Sequence, residues 1–487
     1  MKKTTYIVLM LGVMLLSFSS CSFLDTESFA DLVGEPQDKV EQESAYKSAT
    51  DAQREAAGLY ENFRNNTFQF DLFGYNDIQS DNCYHGGDGV PGEEMDAVKL
   101  NPDNDKVKIL WNEYFKMVGD ANIVIDNTQL MDAKLIDEQT RNKIVAEGKF
   151  VRAYAYLDLV RIYGDVPLLL HMIPAMSSEN LEQIRPLLYP ERAAKEIVYN
   201  QIVQDLDEAI PHLPSVSKGS SNATKGAAYL LLAKAYASRG AKSSRDYNQV
   251  VAYCNKVIGE GYQLVTEFDD LWKPENKFTS ESIFEINYEN ERPNWAYWVL
   301  FSEADGQITW RRYCTPTHDL IAKFTANDKR YESSIVYKSV DYDTHYPKGR
   351  YPISNKIRNK VSNIKLLRLA DALLLKAEAL VELNNIGEAI SIINVIRKRA
   401  GLSDITGLPN QAAAREIVEL ERQLELYMEG HRWFDLLRND RVIEVMTKHK
   451  YKDGKLLVPV LEEFRLVWPI PQNEKDANPA LIQNTGY

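Results

Sequence analysis

The apolar positions of residues 366–402 fall into two helical stripes, one after the other. Leu366, Leu369, Ala370, Leu373, Ala377, Leu380 and Val381 keep the i, i+3, i+4, i+7 spacing of a buried helix face. Asn384-Asn385 interrupts that stripe, since asparagine tolerates the left-handed conformation that ends a helix. A second stripe runs through Ile386, Ala389, Ile390, Ile393, Ile396 and Ala400 and stops at Gly401. Two helices joined by so short a turn pack antiparallel. Ala370, Ala377 and Ala379 allow close backbone approach, so the pattern predicts a tight helical hairpin that is scaffold rather than site.

The same periodicity predicts helices from Glu43 to about Asn65, over Val107–Asn127, Glu138–Tyr163, Pro190–Ile210, Lys225–Ser238 and Tyr247–Ile258, and from Ala412 to Asn439. Gly164 with Pro167, and Pro211, supply stop signals. Residues 228–236 (AYLLLAKAY) and 372–380 (ALLLKAEAL) share alanines at their first, sixth and eighth places, and residues 153–160 (AYAYLDLV) form a weaker third copy. Small residues recurring at helix contacts, each followed by a partner helix, resemble tetratricopeptide repeats with a period of about 34 residues. Long insertions separate the copies. The fold class expected is mainly α: tetratricopeptide-like hairpins forming a scaffold, with large irregular insertions and minor β structure.

Two stretches break the helical pattern, residues 65–105 and 262–351. The first is rich in glycine, acids and aromatics, and a loop of that length inside a compact domain is usually functional or disordered. The second carries Trp272, Trp295, Tyr297, Trp298 and Trp310 among prolines, and one strand-like run, SIFEINYE, at Ser282–Glu289. The tail after Lys450 reads as irregular.

The first forty residues belong to export. Lys2 and Lys3 precede an apolar run from Tyr6 to Phe18, of signal-peptide length and too short to span a bilayer. It ends in Ser19-Ser20-Cys21, which resembles a bacterial lipoprotein cleavage site with Cys21 as the acylated residue. Residues 1–20 are therefore expected to be removed and 21–42 to form a tether, leaving 43–487 as the folded body. Acyl chains on Cys21 would anchor that body to a membrane.

Composition is globular, with 44% hydrophobic and 10% aromatic residues in a chain of 487. Its 27 tyrosines and 7 tryptophans exceed what a plain helical scaffold needs. Loss of Lys2 and Lys3 takes the formal charge from −13 to −15, which argues against nucleic acid as a partner. Cys83, Cys254 and Cys314 remain, with spacing that suits neither zinc nor a thioredoxin motif. Cys254 is expected in a helix as a buried apolar residue. Cys83 and Cys314 lie in loop-like stretches, and their pairing is open.

A sugar-binding surface needs flat aromatic faces for the C–H side of the ring and planar polar groups for the hydroxyls. Tyr75, Asn76, Asp77, Asp81 and Tyr84 offer that mix within ten residues, and Trp295, Tyr297, Trp298, Trp310 and Arg312 offer it in the second insertion. Two or three of these aromatics are expected to face ligand, the others to pin loops onto the core. The acids Asp77, Asp81, Asp88, Glu93, Glu94, Asp96, Asp103 and Asp105 would suit calcium in number, but no EF-hand loop is present; no cofactor is expected, with calcium as the minority alternative. His431 and Asp435 lie one helical turn apart without H-E-x-x-H spacing. Glu425, Glu429, Arg432, Asp435 and Arg438 read instead as a structural web, with Trp433 and Phe434 packing. No hydrolase motif, activated nucleophile or phosphate loop is found.

Several segments resemble the SusD/RagB family: Leu420–Asp440, Trp468–Tyr487, the Leu366–Leu402 hairpin, CSFLDTES after the signal, and residues 315–330. Thr485 departs from the proline that the family usually places before the final Gly-Tyr. The resemblance implies a surface lipoprotein of Bacteroidetes-type bacteria, anchored in the outer membrane, without enzymatic activity. It implies an oligosaccharide ligand and a SusC-like TonB-dependent transporter over which the protein closes as a lid. The alternatives are a peptide-binding lid of the RagB type or a surface glycoside hydrolase. Family ligand sites draw on the same insertions but do not transfer residue by residue.

Overall fold

The computed structural model describes residues 43–86, 89–175, 178, 180–298, 303–304, 307–308, 314–340 and 343–487. The expected signal, the tether and Cys21 lie outside the described residues, as do Trp310 and Arg312. Nine helices of ten residues or more lie among the described residues: α1 Ala49–Leu59, α2 Asp105–Leu130, α3 Glu138–Tyr163, α4 Lys195–Ala209, α5 Lys225–Ser238, α6 Tyr247–Gly259, α7 Leu369–Glu382, α8 Ile386–Arg399 and α9 Gln411–Leu426. The fold is mainly α, as the periodicity predicts.

Local chemistry sets the helix starts. Asn104, Asp137, Thr224, Asp246 and Asn410 each accept a backbone N–H of the first turn, at α2, α3, α5, α6 and α9 respectively. Packing follows chain order: α2 on α3, α3 on α4, α4 on α5, α5 on α6, α6 on α7, and α7 on both α8 and α9. Contacts are close where small residues permit them. A Cβ on Gly148 of α3 would stand 2.7 Å from Ile125 of α2. Ala370 and Ala377 are fully buried between α7 and its neighbours. Asn384 takes φ of 60° in the turn between α7 and α8, the left-handed residue that the sequence calls for there.

Three expectations need correction. The expected helix Ala412–Asn439 breaks after Leu426: Met428 (φ 57°) and Gly430 (φ 78°) form a tight turn, and a short helix resumes at Arg432–Arg438. A Cβ on Gly430 would meet Leu72 at 2.8 Å, so the turn is seated directly on the segment around Leu72. That segment is itself no irregular loop. Thr67–Asp71 and Gly74–Ile78 are π-helical turns, and Val90–Asp96 is a short α-helix. The wide turns suit the five-residue spacing of Phe63, Phe68 and Phe73, all buried, with the Phe63 and Phe68 rings 4.9 Å apart. Third, the helix expected over Pro190–Ile210 begins only at Lys195.

The β structure is minor. Ser282–Ile286 pairs antiparallel with Ile364–Arg368, and both strands are buried throughout. The second runs directly into α7. Cys83–Tyr84 pairs with Thr315–Pro316, which fastens the first insertion to the second. Residues 44–487 form one compact unit.

Candidate functional site

The segment Tyr75–Tyr84 is not a ligand surface. Every residue from Asp71 to His85 is buried. The Tyr75 hydroxyl meets that of Tyr114 at 2.8 Å, and Tyr114 donates to Asp158 at 2.6 Å. The Asn76 amide donates to the Leu72 carbonyl at 3.2 Å. One Asp77 oxygen accepts from Asn82 (2.7 Å) and from the backbone N–H of Met428 (3.2 Å), so this carboxylate holds the turn after α9. Burial pushes the Asp77 carboxyl up to about 7. Asp81 meets Arg432 at 2.6 Å and Lys323 at 3.0 Å; although burial opposes its charge, these cations hold the carboxyl well below its usual range. Tyr84 donates to the Lys450 carbonyl at 2.9 Å. The mixture that suggests sugar recognition is turned inward, and most of its polar groups bond within the protein, with Asn76 Oδ1 and Asp77 Oδ2 left without a hydrogen-bond partner among the described residues.

The second cluster is different. Trp295 is 54% exposed, while Tyr297 and Trp298 beside it are half-buried. The two indoles stand 4.8 Å apart at 44°, and Tyr297 meets Trp298 edge-on at 5.7 Å. This aromatic surface rests on a fixed turn. Asn294, fully buried, receives nothing from solvent: its N–H donates to the Lys360 carbonyl (2.7 Å), its amide to the Ser362 carbonyl (2.9 Å), and its side-chain oxygen accepts from Ala296 (3.0 Å). Gln69, from the π-helical segment, accepts the Trp295 N–H at 2.8 Å and donates to the Arg64 carbonyl at 2.5 Å. Arg292 and Glu61 pair alongside at 2.6 Å. The first insertion therefore builds the seat and the second presents the rings. Trp295, Tyr297 and Trp298 come together as their sequence spacing suggests. Gln69 had no signal beyond its place in an aromatic run.

The charges around His431 form the structural web that the sequence suggests. Arg368 bridges Glu281 (2.7 Å), Glu425 (2.7 Å) and Glu429 (2.6 Å), and Lys356 meets Glu429 at 2.7 Å. Arg422 and Arg438 meet Asp435 at 3.0 and 2.7 Å, and Arg438 meets Glu378 at 2.6 Å. All are buried. Burial, together with Lys234 and other cations nearby, pushes the His431 imidazole down to about 3, so it is neutral at physiological pH. Cys83, Cys254 and Cys314 are buried thiols. Among the described residues, no group of three or more His, Cys, Asp or Glu is placed to hold a metal ion. No described helix is long and apolar enough to cross a membrane.

Comparison with known proteins agrees along most of the chain. The model of the SusD family matches residues 318–487, and a model described as "Starch-binding associating with outer membrane" matches residues 23–237. The SusD-like protein P25 of Formosa agariphila is 25% identical over 93% of this chain and 95% of its own. A SusD superfamily protein from Bacteroides vulgatus has a solved structure that superposes with a TM-score of 0.76, at 20% identity, covering 91% of this chain and 99% of that one. The structure of a laminarin-binding SusD-like protein superposes with a TM-score of 0.71 at 25% identity, covering 91% of this chain and all (100%) of that one. Stacked helical hairpins, a fused pair of insertions and these matches at both ends lead to one assignment: the chain belongs to the SusD-like family.

Proposed function

We propose that this chain is a non-enzymatic, cell-surface glycan-binding lipoprotein, anchored in the outer membrane through Cys21, that passes oligosaccharides to a SusC-like TonB-dependent transporter. The observation that carries the reading is the indole pair of exposed Trp295 and half-buried Trp298 on a rigidly bonded turn, in a molecule whose other candidate polar groups are largely committed to its interior. An indole face covers the apolar side of a sugar ring and leaves the hydroxyls to neighbouring polar groups. The description of the matched starch-binding model and the laminarin-binding relative support a saccharide ligand. Each contact need only be weak, because a tethered receptor raises the effective concentration at the transporter.

Incubating the full chain with a panel of oligosaccharides and peptides tests this. Glycan depletion without new reducing ends, weakened at least tenfold by Trp295→Ala with Trp298→Ala, supports the reading. New reducing ends, or binding of peptides alone, refutes it. Release of a Cys21→Ala variant from the membrane fraction supports the anchor, and retention without a bound transporter refutes it.

A further inference from the structure

A cleft of about 470 Å³ opens between α9 and the short helices His318–Lys323 and Val442–Met446, and shares none of its lining residues with the tryptophan turn. Its wall carries a continuous chain of alternating charges. Lys323 and Arg432 hold Asp81 at 3.0 and 2.6 Å, and Arg432 also meets Glu419 at 3.2 Å. Arg441 then bridges Glu419 (3.2 Å) and Glu444, and Lys448 closes on Glu444 at 3.0 Å. Every cation of the cleft is thereby committed to a carboxylate.

Three acceptors are left over. Glu416 is exposed on α9 and has no cation in ion-pair reach among the described residues. Asp319 is half-exposed, and among the described residues His449, at 3.6 Å, is its one partner in ion-pair reach. His449 is 2% exposed, lines the cleft, and has a hydrogen-bond partner on neither ring nitrogen. Its ring is fixed by stacking on Tyr84, 5.6 Å away at 21°. A buried imidazole with both nitrogens idle is uncommon and marks a place where a partner is missing. Leu420, Ala322 and Val445 supply an apolar flank.

We propose that this cleft is a second saccharide site, selective for a sugar bearing a protonated amine. The volume suits one or two sugar units. An ammonium group neutralises Glu416, which has no cation in reach among the described residues, and Asp319, whose one neighbour in ion-pair reach is His449, with charge-assisted hydrogen bonds, whereas a neutral sugar would desolvate both carboxylates without adding a counter-charge. Ring hydroxyls, which both donate and accept, then satisfy the two ring nitrogens of His449. An anionic sugar is disfavoured, since the cations are already paired. Two residues that the sequence placed in a sugar site, Asp81 by lining the cleft and Tyr84 by backing His449, would serve ligand here without exposing themselves. The earlier glycan reading enters only in taking the ligand to be a saccharide.

Calorimetric titration of the full chain with glucosamine oligomers and their N-acetylated counterparts of equal length tests the proposal. The amine form is expected to bind about tenfold more tightly, with a preference that shrinks as salt rises. Asp319→Asn with Glu416→Gln should abolish that preference, while Trp295→Ala should leave it intact. Glu416→Gln alone, at an exposed position with no partner to lose, should reduce it without altering the melting temperature. Equal binding of both forms, survival of the preference in the double variant, or equally tight binding of a lysine peptide of matched charge overturns the proposal. Loss of glycan binding in Trp295→Ala with the amine preference retained separates the two sites.

Discussion

Replacing Glu425 by glutamine removes one charge from the middle of the buried web while keeping the side chain's shape. In the wild type, Glu425 is fully buried and faces Arg368 at 2.7 Å, Arg330 at 3.4 Å, and Arg399. Glu281 shares two of those cations, at 2.7 Å from Arg368 and 2.6 Å from Arg399, so the guanidiniums do not become wholly unpaired. Breaking one partner of a buried ion pair costs about 3–5 kcal/mol, and a shape-preserving amide with neighbouring carboxylates left in place belongs at the lower end, about 3 kcal/mol. A chain of this length unfolds with an entropy of roughly 0.9 kcal/mol/K, so Glu425→Gln should melt about 3 °C lower. The pH dependence adds a second check. The surrounding cations outweigh burial and hold Glu425 below its ordinary 4.5, so its contribution is present above that value and lost as pH falls through the depressed one. Wild type and variant should therefore differ most near pH 7 and converge in acid. Circular dichroism melts at pH 7 and at pH 3.5, with Glu416→Gln as an exposed control, measure both. A variant melting within about 1 °C of wild type at pH 7, or a gap that widens in acid, would refute the reasoning.

Asp77 has the opposite sign. Its folded value of about 7 lies above the 3.8 of the unfolded chain, so between those values the unfolded state releases a proton that the native state keeps. Stability contributed by Asp77 should fall as pH rises from 4 to 7, and Asp77→Asn should flatten that slope in urea midpoints measured at pH 4.5 and 7.5. Gln69→Leu removes the acceptor of the Trp295 N–H without touching the rings. It should weaken glycan binding about fivefold in titration calorimetry, whereas unchanged affinity would mean that the seat does not position the platform.

The scaffold was legible because its signals are local. Glu138–Tyr163 and Lys225–Ser238 begin after Asp137 and Thr224, capping residues one position upstream, and the first ends at Gly164 with φ of 73°. The π-helical segment was not legible, since phenylalanines five apart match neither helix nor strand periodicity. Nor was the burial of Tyr75–Tyr84. That run is polar in composition, and what takes it inside are partners some 350 positions away: Met428 for Asp77 and Arg432 for Asp81. The same limit applies to tryptophans. Trp272 and Trp295 sit in one aromatic-rich insertion, yet Trp272 is 5% exposed under Lys356 and Lys365 while Trp295 is 54% exposed. Residue type indicates what a side chain is able to grip, and tertiary packing decides whether it is offered.

That contrast supplies the most direct test of the glycan-binding account. The other described tryptophans, Trp111, Trp272, Trp433 and Trp468, are at most 5% exposed, so among the described residues a ligand that covers an indole should be reported chiefly by Trp295 and Trp298. Titrating the full chain with a bound oligosaccharide while following tryptophan emission should give a saturable blue shift that disappears in the Trp295→Ala, Trp298→Ala double variant. A shift of undiminished size in that variant would place the sugar elsewhere and contradict the account.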